Sequence, residues 1–253
     1  MPIGDVSSPD ESEAGHILVY VASMGSIVEF SAGDIDARGY LALPASGSGP
    51  GVIVVQEWWG LDSGIKGMAD RLAQNGFVAL APDLYHGELA EHTEMDKAGE
   101  LMSSLPPERA AADMSGAVDH LLAMGSTTSD GVGVVGFCMG GMLTFLLASS
   151  RPDAVKAAVP FYGYPTGDGG PDFSRIEAAI QGHFAETDGF FPPDGVRALE
   201  AELRDMGKQV SLTVHPGTSH AFMSPHDALN SYDETLAESI WPEFTGFLHD
   251  QLD

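Results

Sequence analysis

The chain has 253 residues, with 11 Lys and Arg against 37 Asp and Glu, a net charge of −26 at neutral pH. Nucleic acid and anionic membrane surfaces are excluded as partners by that balance, since both are held by clustered Lys and Arg. The length, with 43% hydrophobic residues, allows one large α/β domain or two small ones, either with a sizeable core.

The opening "MPIGDVSSPDESEAGH" has no basic region followed by an apolar run, so residues 1–15 are expected to form an acidic disordered tail rather than a signal peptide. Residues 16–253 are expected to form a single domain. "HILVYVAS", "SIVEFSA" and "ARGYLALP" read as short strands at an antiparallel edge, and "SGSGPG" as a turn. "GVIVVQE" is a continuous apolar strand, and a helix around "IKGMADRLAQNG" ends at Gly76. "FVALAPDLY" is the next strand. Residues 93–124 read as helix, interrupted at Pro106 and Pro107.

Gly131 to Ser150 carries no charge and is long enough to cross a bilayer. Its first half is β-branched and Gly-rich and its second half Leu-rich, so a buried strand followed by a buried helix is expected instead. "VKAAVPFYG", "AAIQGHFAE" and "QVSLTVHPG" are further strands, with a helix over "PDGVRALEAELRDMG" and a last helix over roughly 228–252. Strands alternating with helices predict a mostly parallel sheet covered on both faces. Chemistry in such a sheet lies beyond the carboxyl ends of its strands.

Cys138 is the only cysteine, so no internal disulfide forms, in keeping with a reducing cytoplasm. It stands in "GFCMGG" between the strand and the helix, the context of a nucleophile elbow. Gly136 and Gly140 are then the small residues that the sharp turn requires. The helix N-terminus is expected to favour a thiolate and an oxyanion. A nucleophile needs a base and an orienting acid, in the chain order nucleophile, acid, histidine. Asp188 follows one downstream strand and His220 the next. Asp194 reads as the cap at the start of a helix, Glu186 as a strand end, His183 and His215 as packing residues, and His226 as a helix start. No two of these histidines have a metal-binding spacing, so no metal and no cofactor are expected. The alternative to a nucleophile is a thiol packed in a core.

From roughly Ile27 to Leu252 the sequence resembles the dienelactone hydrolase family of the α/β-hydrolase superfamily. The motifs that carry the resemblance are "VVQEWWG", "APDLY", "GFCMGG", "GHFAETDGFFPP" and "SHAFM". It implies an α/β-hydrolase fold and a Cys138–His220–Asp188 triad acting on small esters or lactones. It also implies that Glu57 sits beside the thiol and takes its proton when substrate binds. The oxyanion hole would use the backbone N–H groups of Trp58 and Met139. Trp59, Tyr85, Phe190 and Phe222 are candidate pocket residues. A thioesterase, or a binding protein on the same fold, is the alternative reading.

Members that cleave dienelactone hold its carboxylate with arginines, one in the helix after "PDLY" and one four residues past the histidine. Here no Arg lies between Arg71 and Arg109, and position 224 is serine. A neutral ester or lactone is therefore expected as the partner molecule. The protein itself is expected to be a monomer or a small homo-oligomer.

Overall fold

The computed structural model describes residues 25–167 and 170–253. The predicted acidic tail and the strand over "HILVYVAS" lie outside them. Eight strands form one sheet: β1 (Gly25–Ala32), β2 (Ile35–Ala42), β3 (Gly49–Val55), β4 (Val78–Pro82), β5 (Thr127–Phe137), β6 (Val155–Phe161), β7 (Ala179–Thr187) and β8 (Val210–Ser219). The helices are α1 (Ser63–Gln74), α2 (Met95–Ser103), α3 (Pro107–Ala123), α4 (Met139–Ser150), α5 (Pro193–Asp205) and α6 (Glu234–Leu252). A 3-10 turn at Phe173–Arg175 was not expected from the sequence.

The spatial order is β1-β2-β4-β3-β5-β6-β7-β8. β1 and β2 pair antiparallel, and β2 joins β4 antiparallel. Every pairing from β4 to β8 is parallel. This is the α/β-hydrolase architecture. Side chains alternate across the pleat, so each central strand feeds two cores. Ile53 and Val55 of β3 point into the core under α3, α4 and α5, while Val52 and Val54 point into the core under α1 and α6.

From β3 the chain goes to β4 on one side, and after α3 it returns to β5 on the other. The carboxyl ends of β3 and β5 are adjacent, and their loops diverge there. Such a switch point leaves a crevice for a ligand. Glu57 follows β3, and Cys138 follows β5. The uncharged 131–150 stretch is split at Cys138 into the end of β5 and α4. Among the described residues no helix is long and apolar enough to cross a membrane.

One helix boundary differs from the sequence reading. The last helix begins at Glu234, not near Ala228, because Asp233 caps it by accepting from Leu236 N at 2.9 Å. Residues 225–232 are instead a loop of turns. Asp227 Oδ1 accepts from Ser231 N and Tyr232 N, with positive φ at Asp227 and Asn230. His226 therefore sits in a loop, not at a helix start. Pro192, not Asp194, stands at the cap of α5.

Candidate active site

The bend at Cys138 has φ 54° and ψ −116°, in a region that side-chain-bearing residues avoid. A Cβ at Gly136 would collide with Gly140 O and Thr144 Oγ1. One at Gly140 would collide with Val55 O and Gln56 O. Both glycines thus let α4 start directly against β3 and β5, and the bend holds Cys138 up into the crevice.

His220 Nε2 lies 3.2 Å from Cys138 Sγ, and its Nδ1 lies 2.8 Å from Asp188 Oδ2. The other oxygen of Asp188 accepts from Phe190 N at 2.8 Å and Phe191 N at 2.9 Å, which fixes the carboxylate without a cation. Tyr162, Phe190 and Phe191 pack around the imidazole at centroid distances of 5.2, 4.9 and 5.7 Å. Residues remote in sequence, at the ends of β5, β7 and β8, are thereby brought into one hydrogen-bonded line.

Glu57 is buried beside this line, its oxygens accepting from Tyr162 Oη at 3.3 Å and Ser224 Oγ at 3.4 Å. Burial, then the nearby charge of Asp62, push its pKa up to about 7 despite those two bonds. The Cys138 thiol is also raised, well above its ordinary value, first by burial and then by the charge of Glu57. Backbone N–H groups of Met139 and Trp58 donate to the sulfur and offset only part of this. The resting group is therefore a neutral thiol, not the thiolate expected from the helix N-terminus. Desolvation outweighs the dipole here.

Two lobes open from Cys138, Trp58 and His220. One is an apolar cavity of about 280 Å³, whose further lining includes Met102, Met142, Thr166, Phe190, Phe191 and Leu229. The other, of about 20 Å³, is bounded by Glu57, Trp59, Ala221, Ser224 and Asp227. Neither is lined by Lys or Arg. Of the predicted pocket residues, Phe190 lines the large lobe and Trp59 the small one. Phe222 does not line the cleft: after the positive-φ turn at Ala221 it is fully buried against Tyr162 and His215. Tyr85 lies beneath Met139, donating to its sulfur at 3.4 Å.

Met102, Met142 and Leu229 were missed in the sequence. Only Met142 had a readable signal, one helical turn after the thiol. His183 and His215 are in the core, bonded to each other at 3.0 Å. Three loops also bring Asp62, His92 and His226 together, with one ligand atom from each within 4.8 Å of the others. Spacing along the chain gave no sign of that cluster.

A model of the dienelactone hydrolase family matches residues 37–252. The chain belongs to the dienelactone hydrolase family. It is thus a hydrolase with an α/β-hydrolase fold. It is 39% identical to "Protein usf" of Aquifex pyrophilus over 235 residues, 90% of this chain and all of that protein. An Aquifex aeolicus protein described as a "Putative carboxymethylenebutenolidase" is 34% identical over 235 residues, with the same coverage. Among solved structures, a "Putative Dienelactone Hydrolase" from Klebsiella pneumoniae superposes with a TM-score of 0.76 at 29% identity. That match covers 89% of this chain and 98% of the other.

Proposed function

We propose that this family member hydrolyses small, neutral esters or lactones without a cofactor, with Cys138 as nucleophile, His220 as base and acid, and Asp188 as orienting group. The observation that carries the reading is the unbroken line Asp188–His220–Cys138, at 2.8 and 3.2 Å, at the switch point of the sheet. Carboxymethylenebutenolidase, in the name of the Aquifex aeolicus relative, is a lactone-opening activity of the same type.

The chemistry starts from a protonated thiol. Its proton must leave as sulfur attacks the carbonyl, and two acceptors are in place. His220 Nε2 touches the sulfur, and Glu57, with a pKa near 7, is half ionised around neutrality. As the C–S bond forms, the carbonyl oxygen gains charge and takes over the N–H groups of Met139 and Trp58, which donate to the sulfur at rest. The proton that His220 takes from the thiol goes to the leaving alcohol. His220 then takes a proton from the water that attacks the thioester and gives it to the departing Cys138 sulfur. The enzyme returns with its thiol protonated.

Substrate charge follows from the lining. A carboxylate-bearing lactone needs a cation, ideally a bidentate Arg, and neither lobe supplies Lys or Arg. Where the family's arginine would stand, Ser224 instead donates to Glu57. The apolar lobe accommodates a short hydrocarbon arm.

The test is a panel of neutral and anionic esters, lactones and thioesters assayed with the native protein and with Cys138→Ala. Turnover that favours neutral substrates and vanishes in the variant is the expected result. Undiminished turnover in Cys138→Ala would remove the nucleophile, and higher kcat/KM for the anionic lactones would overturn the substrate class.

A further inference from the structure

Near Glu57, three loops meet. Asp62 closes the loop after β3, His92 lies in the loop between β4 and α2, and His226 lies in the loop between β8 and α6. Asp62 Oδ2 is 2.8 Å from His92 Nε2 and 3.9 Å from His226 Nε2. The two imidazole rings face each other at 4.2 Å. None of these residues takes part in the hydrolytic line.

We propose that Asp62, His92 and His226 form a binding site for one divalent transition metal ion of the zinc class. Tetrahedral bonds of ~2.0–2.1 Å place ligand atoms roughly 3.3–3.4 Å apart. The separations of 2.8 and 3.9 Å bracket that value, and all three atoms lie within 4.8 Å of one another. Side-chain rotations would therefore admit an ion in place of the His92–Asp62 hydrogen bond and the 3.3 Å contact of His226 Nε2 with Ser63 Oγ. Two imidazole nitrogens and one carboxylate oxygen suit zinc, cobalt or nickel; magnesium and calcium prefer all-oxygen sets. On binding, each imidazole keeps its single proton on Nδ1 and gives the lone pair of Nε2 to the ion.

Three independent features shape the place. Asp62 Oδ1 accepts from Ile65 N at 2.9 Å as the cap of α1, which fixes the carboxylate with Oδ2 turned to the histidines. Trp59 packs edge-on against His92 at 5.1 Å and holds that ring. Gly64 permits the approach of His226, because a Cβ there would stand 2.7 Å from its Cδ2 and 2.8 Å from its Nε2. A small cavity of about 10 Å³ touches Asp62 and His226 but not His92, and Ile65, Met68 and Phe137 form much of its wall. The net charge of −26 also raises the local concentration of cations.

The competing account is a plain hydrogen-bonded clasp of three loops, which binds no ion. Metal-free protein, both native and Cys138→Ala, is titrated with Zn²⁺ by calorimetry and with Co²⁺ by visible absorption. The Cys138→Ala background removes the one other soft ligand, paired with His220. One ion per chain at micromolar affinity or tighter, retained in Cys138→Ala and lacking a sulfur-to-cobalt charge-transfer band, is the expected result. His92→Ala and His226→Ala should each weaken binding by ~10²-fold or more. Gly64→Ala deletes no ligand but displaces His226, and should also weaken binding. It favours helix α1, so it keeps the test decisive if a histidine variant fails to fold. Absence of binding in Cys138→Ala overturns the site. So does binding that His92→Ala, His226→Ala and Gly64→Ala leave unchanged, which would mean an ion held elsewhere on the acidic surface.

Discussion

Two buried histidine settings lie on β7, β8 and the loop after β8, and they differ in what the rings touch. His220 has a carboxylate on Nδ1 and a thiol on Nε2. His183 and His215 have each other and a stack of aromatic rings, with His183 Nε2 left without a partner. Among the described residues no carboxylate compensates them. Burial, and then the neighbouring His215, lower the His183 pKa to about 3, and burial lowers that of His215. Burial alone thus makes a histidine inert. An oriented acid on one nitrogen and a proton donor on the other are what equip His220 to move protons.

The largest expected effect breaks the first setting. His220→Ala should lower kcat/KM by ~10²–10⁴-fold. His183→Leu should leave kcat/KM nearly unchanged. Equal losses in the two variants, measured on one neutral ester, would mean that the core pair is coupled to the chemistry and that the contrast drawn here fails.

Glu57 sharpens the comparison, as a buried group that stays close to titration instead of being silenced. Glu57→Gln should reduce kcat/KM by less than His220→Ala, because His220 still reaches the thiol. Its stability effect has a defined sign. The carboxyl has a pKa of about 7 when folded against ~4.3 unfolded. Native stability is therefore undiminished below the unfolded value and falls as pH rises towards 7. Glu57→Gln removes that fall and should gain stability relative to the native protein between pH 4.5 and pH 8, by on the order of 2–4 kcal/mol. Chemical denaturation at pH 4.5 and pH 8 tests it. A stability difference that does not change with pH would show that Glu57 is not held near neutrality.

His183 has the opposite sign. Its pKa is depressed from ~6.5 to about 3 on folding, so native stability is complete above 6.5 and is lost as pH falls below it. His183→Leu should flatten that limb relative to the native protein, by on the order of 1–4 kcal/mol near pH 4. Denaturation curves of the two proteins at pH 4 and pH 7.5 give the difference directly. Parallel curves would mean that the imidazole charges within the fold at no cost.

Much of this was legible in the sequence because it is local. The glycine spacing around Cys138, the apolar runs of β3 and β5, and the placing of Asp188 and His220 just after strands all read from a few adjacent residues. What could not be read depends on contacts across loops. The sequence places a thiol at a helix N-terminus, but only the fold shows how completely it is desolvated. Phe222 follows the candidate histidine as a pocket aromatic would, yet the turn at Ala221 sends it into the core. His92 and His226 are far apart in the chain, and Asp62 reads as an ordinary helix cap until the loops close.

Ionic strength separates the buried settings from the surface around them. Even with every Lys and Arg engaged, 37 − 11 leaves 26 carboxylates without a cationic side chain of their own. Their repulsion is long-ranged and exposed, and raising salt from 0.1 M to 1 M shortens its reach from ~10 Å to ~3 Å. The pH-dependent differences at Glu57 and His183 arise from burial, which salt barely touches. Added NaCl should therefore raise the melting midpoint of the native protein, with ~1 kcal/mol of relief corresponding to about 2–4 °C for a chain of this size. The same salt should raise the midpoints of Glu57→Gln and His183→Leu by similar amounts. A flat or falling midpoint would mean that the acidic groups are too dispersed to repel one another. A salt response that erased the Glu57 or His183 difference would mean that those groups are reached by solvent ions, and the distinction between buried and exposed charge in this protein would have to be redrawn.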